Sequence, residues 1–282
     1  MTDPAVDWSP ADNPHAIAVS EAQWWQRTAQ LAIRRLQDPD DDRISWFSSR
    51  QIDARQLIFA LRQLLNAEQL VQAALEDLGV DEAVRDALGR ARLQYETSLP
   101  GLQHIRDALM HFDEWARGKG RGPPKRRVDS GVSLRQVAGD YWGFAYDPDA
   151  GTISLGPYRI RVDVVEESVA RLSDAIYLAA RAIDQRKALD LKFQVLEALA
   201  ASGIPCNASD TPIRVILGRD CRVWLSLARE PDAGADISPA QRIIEALRSI
   251  NVGVVSMTRP DDLDLAGRLT AGEALACQTN SG

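Results

Sequence analysis

Arg106, Asp107 and His111 are the residues of this chain whose types and spacing point most directly to chemistry. Histidine titrates near neutrality and serves as acid or base, while a guanidinium offers paired donors to phosphate oxygens. Helical residues advance about 100° each, so Asp107 and His111, at i and i+4, share a face on which the carboxylate can orient the imidazole. With His104 set at zero, Ile105, Ala108, Leu109, Phe112 and Ala116 fall between roughly 40° and 140°, the width of a core-facing stripe. Arg106, Asp107, Met110 and His111 then occupy the arc from about 200° to 340°, available to solvent, substrate or another protomer. Two other readings stay open. His111 can be a surface histidine paired with Asp107, or His104, Asp107 and His111 can hold a divalent metal, with Glu114 a turn beyond. HExxH spacing is absent and no second cluster offers a fourth ligand, so neither metal nor cofactor is expected.

Arg117, Lys119, Arg121, Lys125, Arg126 and Arg127 follow the motif with no acid among them. In a chain of net charge −7 this local reversal can draw a phosphate backbone toward His111, or it can be a solvated loop. Tyr141, Trp142, Phe144 and Tyr146 come next and can stack bases, although alternation in a hairpin more often places such residues in a core.

The elements that must position these groups are mainly helical. Residues 1–19 read as a polar leader. Ser20 and Gln23 resemble a capping box ahead of a first helix, with Trp24, Ala29, Leu31, Ile33 and Leu36 at roughly helical period, up to the acidic turn at Asp38–Asp42. A second helix runs from near Ile52 to Gly79, and a third from about Asp81 to Thr97, stopped by Leu99-Pro100-Gly101. The fourth begins at Leu102 and continues to Trp115 or beyond, followed by a glycine- and proline-rich loop over Gly118–Pro124. From Ser133 to Val165 the pattern turns strand-like, a β-hairpin about the turn Asp147–Gly151 with room for a third short strand. A helix returns from Glu166 to about Gln185, with Val169, Leu172, Ile176, Leu178, Ala179 and Ile183 inward. Residues 189–277 read as a separate small α/β domain, with a helix over Leu191–Ala201 and strands over Ile213–Leu217 and Cys221–Leu227 about a Gly218-Arg219-Asp220 turn. Within it a helix over Pro239–Ile250, a strand over Val252–Met257 and a last helix over Leu263–Ala276 follow, before a tail at 278–282. The expected architecture is a helical domain over 20–188, with the hairpin inserted at about 133–165, followed by the α/β domain.

At 282 residues and 45% hydrophobic content the chain can bury an ample core. The polar, proline-bearing start lacks the basic and apolar regions of a secretory signal, and no apolar run reaches the roughly 20 residues of a membrane span. Cys206, Cys221 and Cys277 lack CxxC spacing and read as reduced thiols, so a cytoplasmic protein is expected. The net charge argues against an indiscriminate polyanion binder. Trp24, Trp25 and Trp46 read as packing residues.

Arg106-Asp107-Ala108-Leu109-Met110-His111, near the start of a late bundle helix, resembles the Arg-polar-x3-His motif of the HEPN superfamily. The resemblance covers roughly residues 20–185, with specificity in the six-residue motif alone. It implies a HEPN-like helical bundle and, by analogy with the catalytic members, a metal-independent endoribonuclease of the toxin–antitoxin or antiphage kind. It further implies a homodimer whose paired Arg-His sets face a shared cleft, RNA as substrate, and an antitoxin or regulatory protein as partner. Carried over by position, Arg106 would stabilise the phosphate, Asp107 would fill the polar position, and His111 would be general acid or base. The chemistry is coherent, because metal-free RNA cleavage needs a base for the ribose 2′-proton, an acid for the leaving 5′-oxygen and a cation for the phosphorane. One motif supplies one histidine; two protomers supply two. The alternative is a non-catalytic HEPN-like scaffold that recognises RNA, a nucleotide or a protein partner.

Overall fold

The computed structural model describes residues 9–39, 48–207, 213–216, 220–225, 239–255 and 275–279. The chain is mainly helical and divides into two compact units, one comprising residues 17–179 and the other residues 1–16 and 180–282.

In the first unit, α1 (Pro14–Gln37) starts ahead of Ser20, so the expected leader is partly helix. Proline suits the first helical position because its missing N–H has no intrahelical partner there, and the buried Ala18, Val19 and Ala22 carry the apolar face up to the expected start. Leu36 is buried as expected, whereas Trp24 is exposed and only Trp25 packs, edge-on to Phe59 with ring centroids 5.7 Å apart. Trp46 and most of the acidic turn lie outside the described residues. Ser48 caps α2 (Ser49–Asp77) by accepting the N–H of Gln51, and Leu57, Leu61, Leu64, Leu65 and Ala74 form its buried stripe. Asp81 caps α3 (Glu82–Ser98) through the N–H of Ala83. Tyr95 from α3 is buried, and its hydroxyl donates to the Leu61 carbonyl of α2 at 2.8 Å.

The expected fourth helix is two. α4 (Leu102–Met110) ends at His111, whose φ −117° and ψ 41° leave the helical region, and α5 (Phe112–Trp115) begins directly after it. The break turns Phe112 and Ala116 outward and puts Trp115 into the core, edge-on to Tyr141 at 5.9 Å. The basic segment also differs from a flexible loop: with prolines at its start, α6 (Pro123–Asp129) carries Lys125, Arg126 and Arg127. Ser133 then caps α7 (Leu134–Asp140), so the first part of the strand-like stretch is helix and Tyr141 ends it.

The hairpin is a three-stranded antiparallel sheet, β1 (Ala145–Asp147), β2 (Thr152–Leu155) and β3 (Tyr158–Arg161). Its turn is set by the Asp147 carboxylate, which accepts the N–H groups of Asp149 at 3.0 Å and Ala150 at 3.1 Å. Gln51 of α2 pins β1, its amide nitrogen donating to the Tyr146 carbonyl while its amide oxygen accepts the Tyr146 N–H.

α8 (Val165–Ala201) is one 37-residue helix, so the expected interruption between Gln185 and Leu191 is absent. Arg186, Lys187, Ala188 and Leu189 all favour helix, and no proline or glycine stops it. Val169, Leu172, Ile176, Ala179 and Ile183 are buried, but Leu178 is exposed.

In the second unit β4 (Ile213–Ile216), β5 (Asp220–Leu225), β6 (Val252–Val255) and β7 (Leu275–Thr279) form an antiparallel sheet of order β4-β5-β7-β6. α9 (Pro239–Ser249) joins a core of Leu191, Val195, Leu199, Val223, Ile243 and Leu247. Leu275 and Ala276 are strand where helix was expected; the rest of that helix, Gly218, Arg219 and the end of the tail lie outside the described residues. Near the chain start His15 is buried, with its Nε2 2.8 Å from a carboxylate oxygen of Asp184 and its Nδ1 without a partner among the described residues. Among the described residues no helix is long and apolar enough to cross a membrane.

Gly101 precedes α4 at φ +84°, where a Cβ would lie 2.7 Å from the Tyr158 side chain. Gly101→Ala is therefore expected to lower stability by about 1–3 kcal/mol, from backbone strain and the displaced tyrosine, read as a fall in the urea midpoint.

Candidate active site

α4 is nine residues long and packs against α2 and β3. Leu102, Ile105 and Ala108 are its buried face. Arg106 and Asp107 are half-buried, and Met110 and His111 are exposed, so the polar set lies off the core as the helical arc predicts.

Their mutual arrangement differs from the expectation. The Asp107 carboxylate pairs with Arg106, its Oδ1 2.9 Å from Nη1. It does not pair with the His111 imidazole, because His111 has left the helical conformation that would bring i and i+4 side chains together. The link from Asp107 to His111 is made by the main chain, the His111 N–H donating to the Asp107 carbonyl at 2.9 Å. The His111 carbonyl in turn accepts the Trp115 N–H, so this residue ends one helix and starts the next. Among the described residues the imidazole makes no hydrogen bond or ion pair, and no three of His, Cys, Asp and Glu gather as metal ligands.

Arg106 holds a second feature. Its Nε is buried and has no hydrogen-bond partner among the described residues. Such an orphaned donor costs stability until an acceptor reaches it. Arg106, Leu109 and Met110 face Arg55, Gln56 and Phe59 of α2 across a pocket of about 360 Å³. Arg55 lies over the Phe144 ring, its guanidinium carbon 4.8 Å from the centroid. Sequence reading missed Arg55, Gln56 and Phe59. Arg55 and Phe59 share a face of α2 at i and i+4, but nothing in the sequence links that face to α4.

On another side of α4, His104 stacks on Tyr158 with ring centroids 4.7 Å apart, and Tyr158 neighbours Tyr141 at 6.2 Å. Burial lowers the His104 pKa; Asp107 opposes the shift, and the Arg126 charge reinforces it. Burial and Tyr141 push Tyr158 up to about 12, against the pull of Arg126. The Arg126 charge is thus felt at both His104 and Tyr158. Arg127 is committed to Asp140 at 2.6 Å and lies over the Tyr141 ring, and Arg117 pairs with Asp113 at 3.5 Å. Lys119, Arg121 and Lys125 are exposed. Of the aromatic run, Tyr141 is buried, Phe144 and Tyr146 are half-buried and Trp142 alone is exposed. Cys206 is a free thiol whose pKa burial raises to about 11, which disfavours the reactive thiolate.

The chain matches no family model, no curated protein and no solved structure.

Because the folded state holds His104 below the ordinary value of 6.5, the unfolded chain takes up this proton first as pH falls. The contribution is fully present above pH 6.5 and declines as pH is lowered toward the folded pKa. His104→Phe keeps an aromatic ring on Tyr158 and removes the titration. Urea unfolding from pH 7 down to roughly pH 5 should therefore show a shallower stability loss in the variant than in the wild type; equal slopes would contradict the shift.

Proposed function

We propose that this chain is a metal-independent endoribonuclease of HEPN type, acting as a cytoplasmic homodimer in a toxin–antitoxin or antiphage setting. The observation that carries this reading is the placement of His111: it is exposed at the junction of two helices, its imidazole has no partner among the described residues, and Arg106 lies on the short helix that His111 ends. Its neighbour supports self-association. Phe112 is 61% exposed, so a large apolar side chain sits beside the imidazole where a second protomer would cover it.

In this reading one His111 takes the ribose 2′-proton, the 2′-oxygen attacks phosphorus, and the 5′-oxygen leaves with a proton from the second His111. Arg106 stabilises charge on the phosphorane, and Asp107 fixes the guanidinium instead of orienting the imidazole. Exposed Lys119, Arg121, Lys125 and Arg126 draw the strand in; Arg117 and Arg127 contribute less because carboxylates already pair with them.

A second reading, a non-catalytic scaffold that binds RNA, a nucleotide or a protein, is favoured by the same Asp107–Arg106 pair, which partly neutralises the cation a phosphorane would need.

Purified protein in EDTA should cut single-stranded RNA and leave 2′,3′-cyclic phosphate ends. His111→Ala and Arg106→Ala should each slow cutting by about 10²-fold or more. Loss of cutting on chelation, or cutting that survives His111→Ala, contradicts the proposal; RNA bound equally by wild type and His111→Ala with no products selects the scaffold.

A further inference from the structure

The pocket between α2 and α4 combines two chemistries in one space. Arg55 and Arg106 bring two guanidinium groups to it, and among the described residues no carboxylate lines it. Asp107 occupies Nη1 of Arg106, and the Nε is buried without an acceptor among the described residues. Two guanidinium charges on one pocket call for an anion. The rest of the wall is different: Phe59, Leu109 and Met110 are apolar, and Gln56 carries an amide that both donates and accepts. A small inorganic ion would leave most of about 360 Å³ unfilled and gain nothing from the apolar side.

A ligand that uses the whole lining has a phosphate joined to a flat apolar ring with polar edges. Guanidinium forks match phosphate oxygens. An aromatic ring and a thioether give a base a face to lie against, and stacking of this kind tolerates any base. A glutamine amide can meet the donor and acceptor atoms on a base edge. We infer that this pocket is a nucleotide subsite, holding one phosphate at Arg55 and Arg106 and its base against Phe59 and Met110, with Gln56 at the base edge. As the seat of the nucleotide next to the scissile phosphate, it rests on the ribonuclease reading; as a pocket for a nucleotide, it does not.

Arg55 and Met110 are exposed, so substitutions there leave the core in place. Arg55→Glu reverses the charge, and Met110→Trp fills the apolar side. Calorimetric titration of the full-length chain in EDTA with adenosine 5′-monophosphate, inorganic phosphate and adenosine should give the nucleotide at least tenfold tighter binding than either fragment. Each variant should weaken nucleotide binding tenfold or more. A nucleotide that binds no tighter than phosphate, or that binds both variants as it binds the wild type, overturns the inference. A short single-stranded RNA should displace the nucleotide; failure to compete overturns the strand subsite and leaves a pocket for free nucleotide. RNA cutting without nucleotide binding removes this inference and spares the ribonuclease, whereas nucleotide binding without cutting does the reverse.

Discussion

Nearly everything about the candidate site depends on how α4 is held. Nine residues are too few to be a stable helix alone in water, so its conformation comes from burying Leu102, Ile105 and Ala108 against neighbours that include α2 and β3. Gly101 lets the chain enter beside the Tyr158 ring, where any larger residue would collide. The helix ends at His111, which has left the helical conformation, and beyond it Trp115 is buried in the core. An unbroken helix would point Phe112 at the core, and the break exchanges the two aromatic residues.

This exchange has electrostatic consequences. With His111 out of helical register, the Asp107 carboxylate finds Arg106, and the imidazole is left to solvent. The three histidines therefore stand in three environments. His15 is buried against Asp184; His104 is half-buried on Tyr158 and disfavours its proton; His111 is exposed. The last is the most open to a substrate, and it follows an arginine whose Nε is buried without an acceptor among the described residues.

The sequence made the helical class, the stripe of α2, the Asp81 start of α3 and the Asp147–Gly151 turn legible, because each rests on local periodicity or turn chemistry. The break at His111 was not legible. Met110, His111 and Phe112 carry no proline or glycine, and the break shows only in the structure, as the burial of Trp115 and the exposure of Phe112. Residues 123–140 misled for another reason: the two prolines read as loop breakers but serve as helix starters, and the aromatic residues after Asp140 suggested strands that begin only at Ala145. Of the site, Arg106 and His111 were found off the core face, but the Asp107 partner was misassigned, and the α2 half of the pocket carried no signal, since it depends on which helix packs on which.

The central claim is that His111 meets an RNA phosphate while the other two histidines do not. Long-range proton–nitrogen spectra of the imidazole rings, recorded as a cleavage-resistant 2′-deoxy-substituted oligonucleotide is added, test it directly. The account predicts that the His111 ring signals shift with saturation, and that those of buried His15 stay in place as an internal control. His111 signals that remain unchanged while the oligonucleotide binds would contradict it.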